Sequence, residues 1–110
     1  MKPTITYADF EKLDIRIGTI VSATSPDWSK KLLRFEVDFG EIGTRVIFSG
    51  IKSWYSPEEF IGKQFPFLIN LEPKKMGEEE SQGMMIMADG QEKPVVFSLS
   101  SLVSTGTIVR

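Results

Sequence analysis

The stretch Lys31–Ser49, KLLRFEVDFGEIGTRVIFS, decides the fold. In its first half Leu33, Phe35, Val37 and Phe39 point one way while Arg34, Glu36 and Asp38 point the other, the period of a strand with one buried face. Gly40 and Gly43 punctuate a short connection. Arg45–Ser49 then resumes, with Val46 and Phe48 opposing Arg45, Ile47 and Ser49. Two such runs joined by a glycine-bearing link predict a hairpin.

Outward from this hairpin the same signals recur. Upstream, Ser25–Lys30 (SPDWSK) reads as a turn, since Pro, Asp and Ser supply the local chemistry. Before it, Ile15–Ala23 reads as a strand with Ile15, Ile17 and Val21 on one face and Arg16 and Ser22 on the other; Gly18 and Ile20 blur the pattern, and Gly18 marks a candidate bulge. Thr6 can cap a short helix over Thr6–Leu13, with Tyr7, Phe10 and Leu13 on one side. Downstream, Ser56-Pro57-Glu58-Glu59 is a helix start, Phe60 and Ile61 dock it, and Gly62 ends it. Gln64–Leu71 is an apolar strand in which Pro66 suggests an edge or a bulge. Met84–Ala88 and Val95–Leu99 are further strand-like runs, and Gly106 turns into Thr107–Val109. Short, closely spaced strands without crossover helices predict an all-β fold. The order fits an OB-fold Greek-key barrel best, with a short helix between strands three and four and a short N-terminal helix. At 110 residues the expectation is a single domain over 1–110.

Composition narrows the function. The chain has no cysteine and no histidine, which removes thiol chemistry, the commonest metal ligand and the commonest general acid–base group. A non-catalytic binding module, without metal or cofactor, is the expectation. No apolar run is long enough to span a bilayer, and the first residues lack a signal peptide's apolar core, so a cytoplasmic location is expected. The net charge of −2 argues against a strong, indiscriminate polyanion binder. Any anion site is a local patch, with reach limited by salt.

Asn70–Met84, NLEPKKMGEEESQGM, is the candidate for such a patch. It sets a Pro-Lys-Lys corner, a glycine, a carboxylate run and a Ser-Gln-Gly-Met element between two apolar strands. Small hydrogen-bonding groups beside lysines suit a phosphate backbone. Glu78–Glu80, lacking a histidine or a second acid cluster, do not read as a metal site. Met84, Met85 and Met87 suit either an adaptable peptide-binding surface or a strand covered on both faces.

Four segments together resemble one family: Asp14–Val21 (DIRIGTIV), Lys31–Glu41 (KLLRFEVDFGE), Ser49–Ile51 with Tyr55–Gly62 (SGI and YSPEEFIG), and Asn70–Met84. The family is the tRNA-binding domain of the C-terminal appendix of bacterial methionyl-tRNA synthetase, of the relatives of endothelial monocyte-activating polypeptide II, and of free-standing dimeric tRNA-binding proteins. The resemblance implies an OB barrel that recognises the shape of folded tRNA with little base-sequence preference, acts as a homodimer, and assists an aminoacyl-tRNA synthetase or stabilises tRNA. By analogy with family dimers, Met1–Tyr7 and Val103–Arg110 are the expected interface.

Carried onto this sequence, the resemblance assigns tRNA contacts to Lys31 at the start of the second strand and to Lys74 and Lys75, the basic pair. Arg34, on the polar face of the second strand, joins them or is a solvated charge. Ser81 either bonds phosphate or ribose or caps its turn, and Met84 either packs on a sugar or base or belongs to the core. Asn70 and Ser49 either touch RNA or stitch loops together. The turn Ser25–Lys31 departs from the family in being one residue longer and lacking its histidine; Trp28 in it either stacks on a base or anchors the turn. Glu78 and Glu79 are a second departure, since carboxylates repel phosphate. The rival function is that of the export-related branch with the same barrel, a dimeric chaperone-like peptide binder.

Overall fold

A computed structural model describes residues 1–110. Ten strands and one short helix follow in order: α1 (Tyr7–Phe10), β1 (Ile15–Thr24), β2 (Leu33–Asp38), β3 (Thr44–Ser49), β4 (Gln64–Leu68), β5 (Lys74–Met76), β6 (Glu79–Ser81), β7 (Met84–Met85), β8 (Met87–Asp89), β9 (Pro94–Val96) and β10 (Ile108–Val109). A 3-10 turn at Pro57–Glu59 lies between β3 and β4, closed by Glu59, whose carboxylate accepts from Ser56 N at 2.7 Å. A capping box between Thr6 and Asp9 opens α1. No helix is long and apolar enough to cross a membrane.

The main sheet runs β3-β2-β1-β4-β7, all antiparallel, with β10 added beside the start of β1. At ten residues, β1 is long enough to serve two partners: Ile15–Thr19 pair with β4, and Thr19–Thr24 pair with β2. That shared strand curls the sheet into an OB-fold barrel. The remaining gap, between β3 and β7, is bridged by the residues leading into β7. The Gln82 amide donates to Val46 O at 2.8 Å and its side-chain Oε1 accepts from Val46 N at 3.0 Å. Ser81 Oγ accepts from Phe48 N at 3.0 Å. Two of these three bonds use side chains, so the barrel is sealed by side-chain chemistry where a ladder would otherwise run.

Thirteen buried residues form one core, in which Phe35, Phe39, Phe60, Phe65 and Phe67 interlock with ring centroids 4.9 to 5.5 Å apart. The alternation of β2 holds throughout, with Leu33, Phe35 and Val37 buried. In β1 the expected faces are corrected. The register shifts between Ile20 and Ser22, so Ile20 is fully buried and Val21 is 52% exposed. An extra residue at a bulge turns everything beyond it by one position. Gly18 is not the bulge. It pairs in register with Phe65, and a Cβ there would come within 2.4 Å of Val37 and 2.6 Å of Phe39. Further readings change, among them the Met84–Ala88 run, which breaks at Ile86 into β7 and β8. Ile61 is exposed while Phe60 alone docks. The Gln64–Leu71 strand ends at Leu68, and the Val95–Leu99 run forms only Pro94–Val96.

Candidate nucleic-acid interface

In an OB barrel the loops between the first two strands, and after the fourth, flank the face of strands two and three. Here those loops are Ser25–Leu32 and the segment holding the β5–β6 hairpin, and they meet over Phe48 of β3. Ser29 shapes the first loop. Its hydroxyl accepts from the amides of Lys31 (3.2 Å) and Leu32 (3.1 Å), a local bond of the kind serine offers a turn. The loop is tied to the segment after β3 by Lys52, whose amide donates to Lys31 O at 3.1 Å and whose Nζ donates to Ser29 O at 3.0 Å. Lys30, Lys31 and Lys52 therefore share one corner.

The hairpin pairs Lys74 with Ser81, Lys75 with Glu80, and Met76 with Glu79. Side chains alternate across a strand, so Lys74, Met76, Glu79 and Ser81 look toward the barrel, while Lys75 and Glu80 look away. Lys74 lines an open cleft of about 510 Å³ with Phe48, Leu71, Met76 and Met84. The hairpin turns at Gly77 with φ +62°, and a Cβ there would meet the Trp28 indole at 3.1 Å. Two requirements, backbone and space, thus converge on glycine. Trp28 itself leans on Phe48 with ring centroids 5.9 Å apart and stays 56% exposed.

Arg34 clamps the hairpin to β2. Its Nε and Nη2 donate to the two carboxylate oxygens of Glu79 at 2.7 and 3.0 Å, a bidentate pair, and Glu36 lies 3.8 Å away. The hydrogen bond from Arg34 holds the Glu79 carboxyl below its usual range, and the hydrogen bond to Glu79 raises the Arg34 guanidinium in turn.

The eight residues read from the sequence thus separate. Lys31, Lys74 and Lys75 are exposed and form no ion pair, and Met84 is 48% exposed on the cleft wall. Arg34 is held by Glu79. Ser81 is buried; it caps its own turn by donating to Gly83 O at 3.2 Å, and beyond that reading it also accepts from Phe48 N at 3.0 Å. Asn70 stitches too: its Oδ1 accepts from Asp14 N at 2.8 Å and its Nδ2 donates to Lys12 O at 2.6 Å. Ser49 is buried in β3. Sequence reasoning missed Lys52 and Gln82; their only signals were adjacency to Ser-Gly-Ile and a place inside Ser-Gln-Gly-Met.

Residues 15–107 match the model of the putative tRNA binding domain. The chain belongs to that family. It is 46% identical over 109 residues to a methionine–tRNA ligase of Methanococcoides burtonii, a match covering 98% of this chain and 16% of the ligase. The chain therefore spans about a sixth of that relative's length. Among solved structures it is similar to a MetRS related protein from Pyrococcus horikoshii, with TM-score 0.92 and 34% identity over 99% of this chain and 100% of the other. It is also similar to the chaperone CsaA of Bacillus anthracis, with TM-score 0.86 and 28% identity over 98% and 100% of the two chains.

Proposed function

We propose that this chain is a non-catalytic, cytoplasmic binder of folded tRNA that contacts the RNA backbone and works as a homodimer, in some settings beside an aminoacyl-tRNA synthetase. The observation that carries the reading is that three segments bonded or packed to one another, beside the flank an OB barrel uses for nucleic acid, carry lysines without a carboxylate partner. Lys30 and Lys31 come from the first loop, Lys52 is bonded to it, and Lys74 and Lys75 come from the hairpin packed on Trp28. Family membership and the likeness to methionine–tRNA ligase support it. The ligases' own catalysis belongs to those longer proteins. Few phosphates are within reach of so few cations on an acidic chain, so affinity per copy is modest. Two copies on one rigid ligand gain by effective concentration. Exposed apolar side chains around α1 and β10 (Tyr7, Leu13, Ile108 and Val109), set in a groove they share with charged residues such as Lys12 and Arg16, support pairing there.

The test is a titration of folded and heat-unfolded tRNA at several salt concentrations. Backbone contact gives a linear fall of log affinity with log salt. A flat response, or equal binding of unfolded RNA, refutes the reading. The second reading, a peptide-binding chaperone, is favoured by the apolar cleft of Phe48, Leu71, Met76 and Met84 and by the likeness to chaperone CsaA. Capture of an unstructured peptide without capture of tRNA would put it first.

A further inference from the structure

Trp28 departs from the family's pattern yet sits at the centre of the flank just described. A tryptophan that serves only as an anchor buries its ring, whereas this one keeps more than half of its surface in solvent. The ring frames an open cleft of about 470 Å³ together with Arg34, Gly77, Glu78 and Glu79. The backbone of Gly77 packs against one side of the indole, where a Cβ would lie 3.1 Å from the nearest ring atom, and Phe48 touches the ring as well; the surface these two leave uncovered is what faces the cleft.

The charges decide what the cleft admits. Glu79 already occupies Arg34 through two hydrogen bonds, and Glu78 has no cationic partner. A phosphate entering here meets two carboxylates and a guanidinium already in use, so the cleft rejects it. A nucleobase is uncharged, its π-face suits an indole, and its amino and imino hydrogens suit carboxylate oxygens. The lysines nearby remain available to the phosphates on either side of that base.

We propose that Trp28 is a stacking platform for one unpaired nucleobase of the bound RNA, with Glu78 and Glu79 screening the cleft against phosphate. This rests on the tRNA-binding reading above and adds to it a contact with a base where the lysines contact only the backbone. Single-base stacking on an aromatic side chain is worth roughly 5- to 150-fold in affinity. It leaves the counterion count untouched.

The experiment uses the full chain with Trp54→Phe, which leaves Trp28 as the sole indole of the two in the sequence. Folded tRNA should quench its emission. In the native chain, Trp28→Leu, which still covers Phe48, should weaken tRNA binding at least 5-fold with an unchanged log–log salt slope, and Trp28→Phe should restore most of the loss. A urea midpoint near that of the native chain shows that the leucine variant is folded. If instead Leu and Phe variants bind alike, the emission is unmoved on saturation, or the loss comes with a shallower salt slope, the stacking site is wrong while tRNA binding stands. If the native chain captures no tRNA, both readings fall.

Discussion

Two adjacent regions of this barrel are built from the same short stretch of sequence and behave oppositely. At the seam, Ser81 and Gln82 turn inward and complete the hydrogen bonding of β3 through their side chains. On the rim, a few residues earlier, Lys74 and Lys75 stand in solvent with no carboxylate within ion-pair distance. A buried amide such as that of Phe48 must be satisfied, whereas an exposed ammonium is satisfied by water until a ligand arrives. Residue type alone did not separate the two. A serine beside lysines looks like a phosphate ligand whether it faces out or in.

The contrast breaks most visibly at Phe48, which is buried in the seam on one side and supports Trp28 on the other. Phe48→Ala should lower stability by about 3–5 kcal/mol in urea unfolding, and RNA binding should fail with it. Ser81→Ala should cost less, about 1–3 kcal/mol, by leaving the Phe48 amide and Gly83 carbonyl unpaired; measured well below the unfolding transition, its RNA affinity should stay close to native. The reverse pattern is expected on the rim. Lys74→Ala with Lys75→Ala should change stability by no more than about 0.5 kcal/mol, yet flatten the log–log salt slope by roughly two units.

Glu79→Gln should give the smallest effect and sharpens the comparison most finely. It loosens the clamp on the hairpin and removes a charge that repels phosphate, so tRNA binding should tighten modestly at low salt and lose that gain at high salt. The same pair sets a pH dependence. Because Arg34 holds the Glu79 carboxyl below its ordinary value of 4.5, the clamp's contribution is present above that pH. It fades as pH falls through the lowered value. Unfolding measured between pH 7 and 3 should show this loss in the native chain and not in Glu79→Gln, and identical profiles would mean the clamp contributes nothing.

The barrel was legible because its strands carry their own periodicity: Leu33, Phe35, Val37 and Phe39 need no partner to declare a buried face. The fault in β1 shows where that ends. A bulge is a property of two paired strands, so the placing of Ile20 inside and Val21 outside could not be read from one of them. The turn starts at Thr6 and Ser56 were legible for the opposite reason, being closed within four residues.

The class of fold, the lack of thiol and imidazole chemistry, and the exposure of Lys31, Lys74 and Lys75 follow from the residues alone, because charge and period are local properties. It takes the folded barrel to show that Asn70 is bonded to residues 56 and 58 positions away, that Arg34 is spent on Glu79, and that Lys52 joins the turn of Lys31. Each of those facts is a pairing between segments distant in the chain. A hydrogen bond of that kind is fixed by where the backbone brings two groups, which no single stretch of residues encodes.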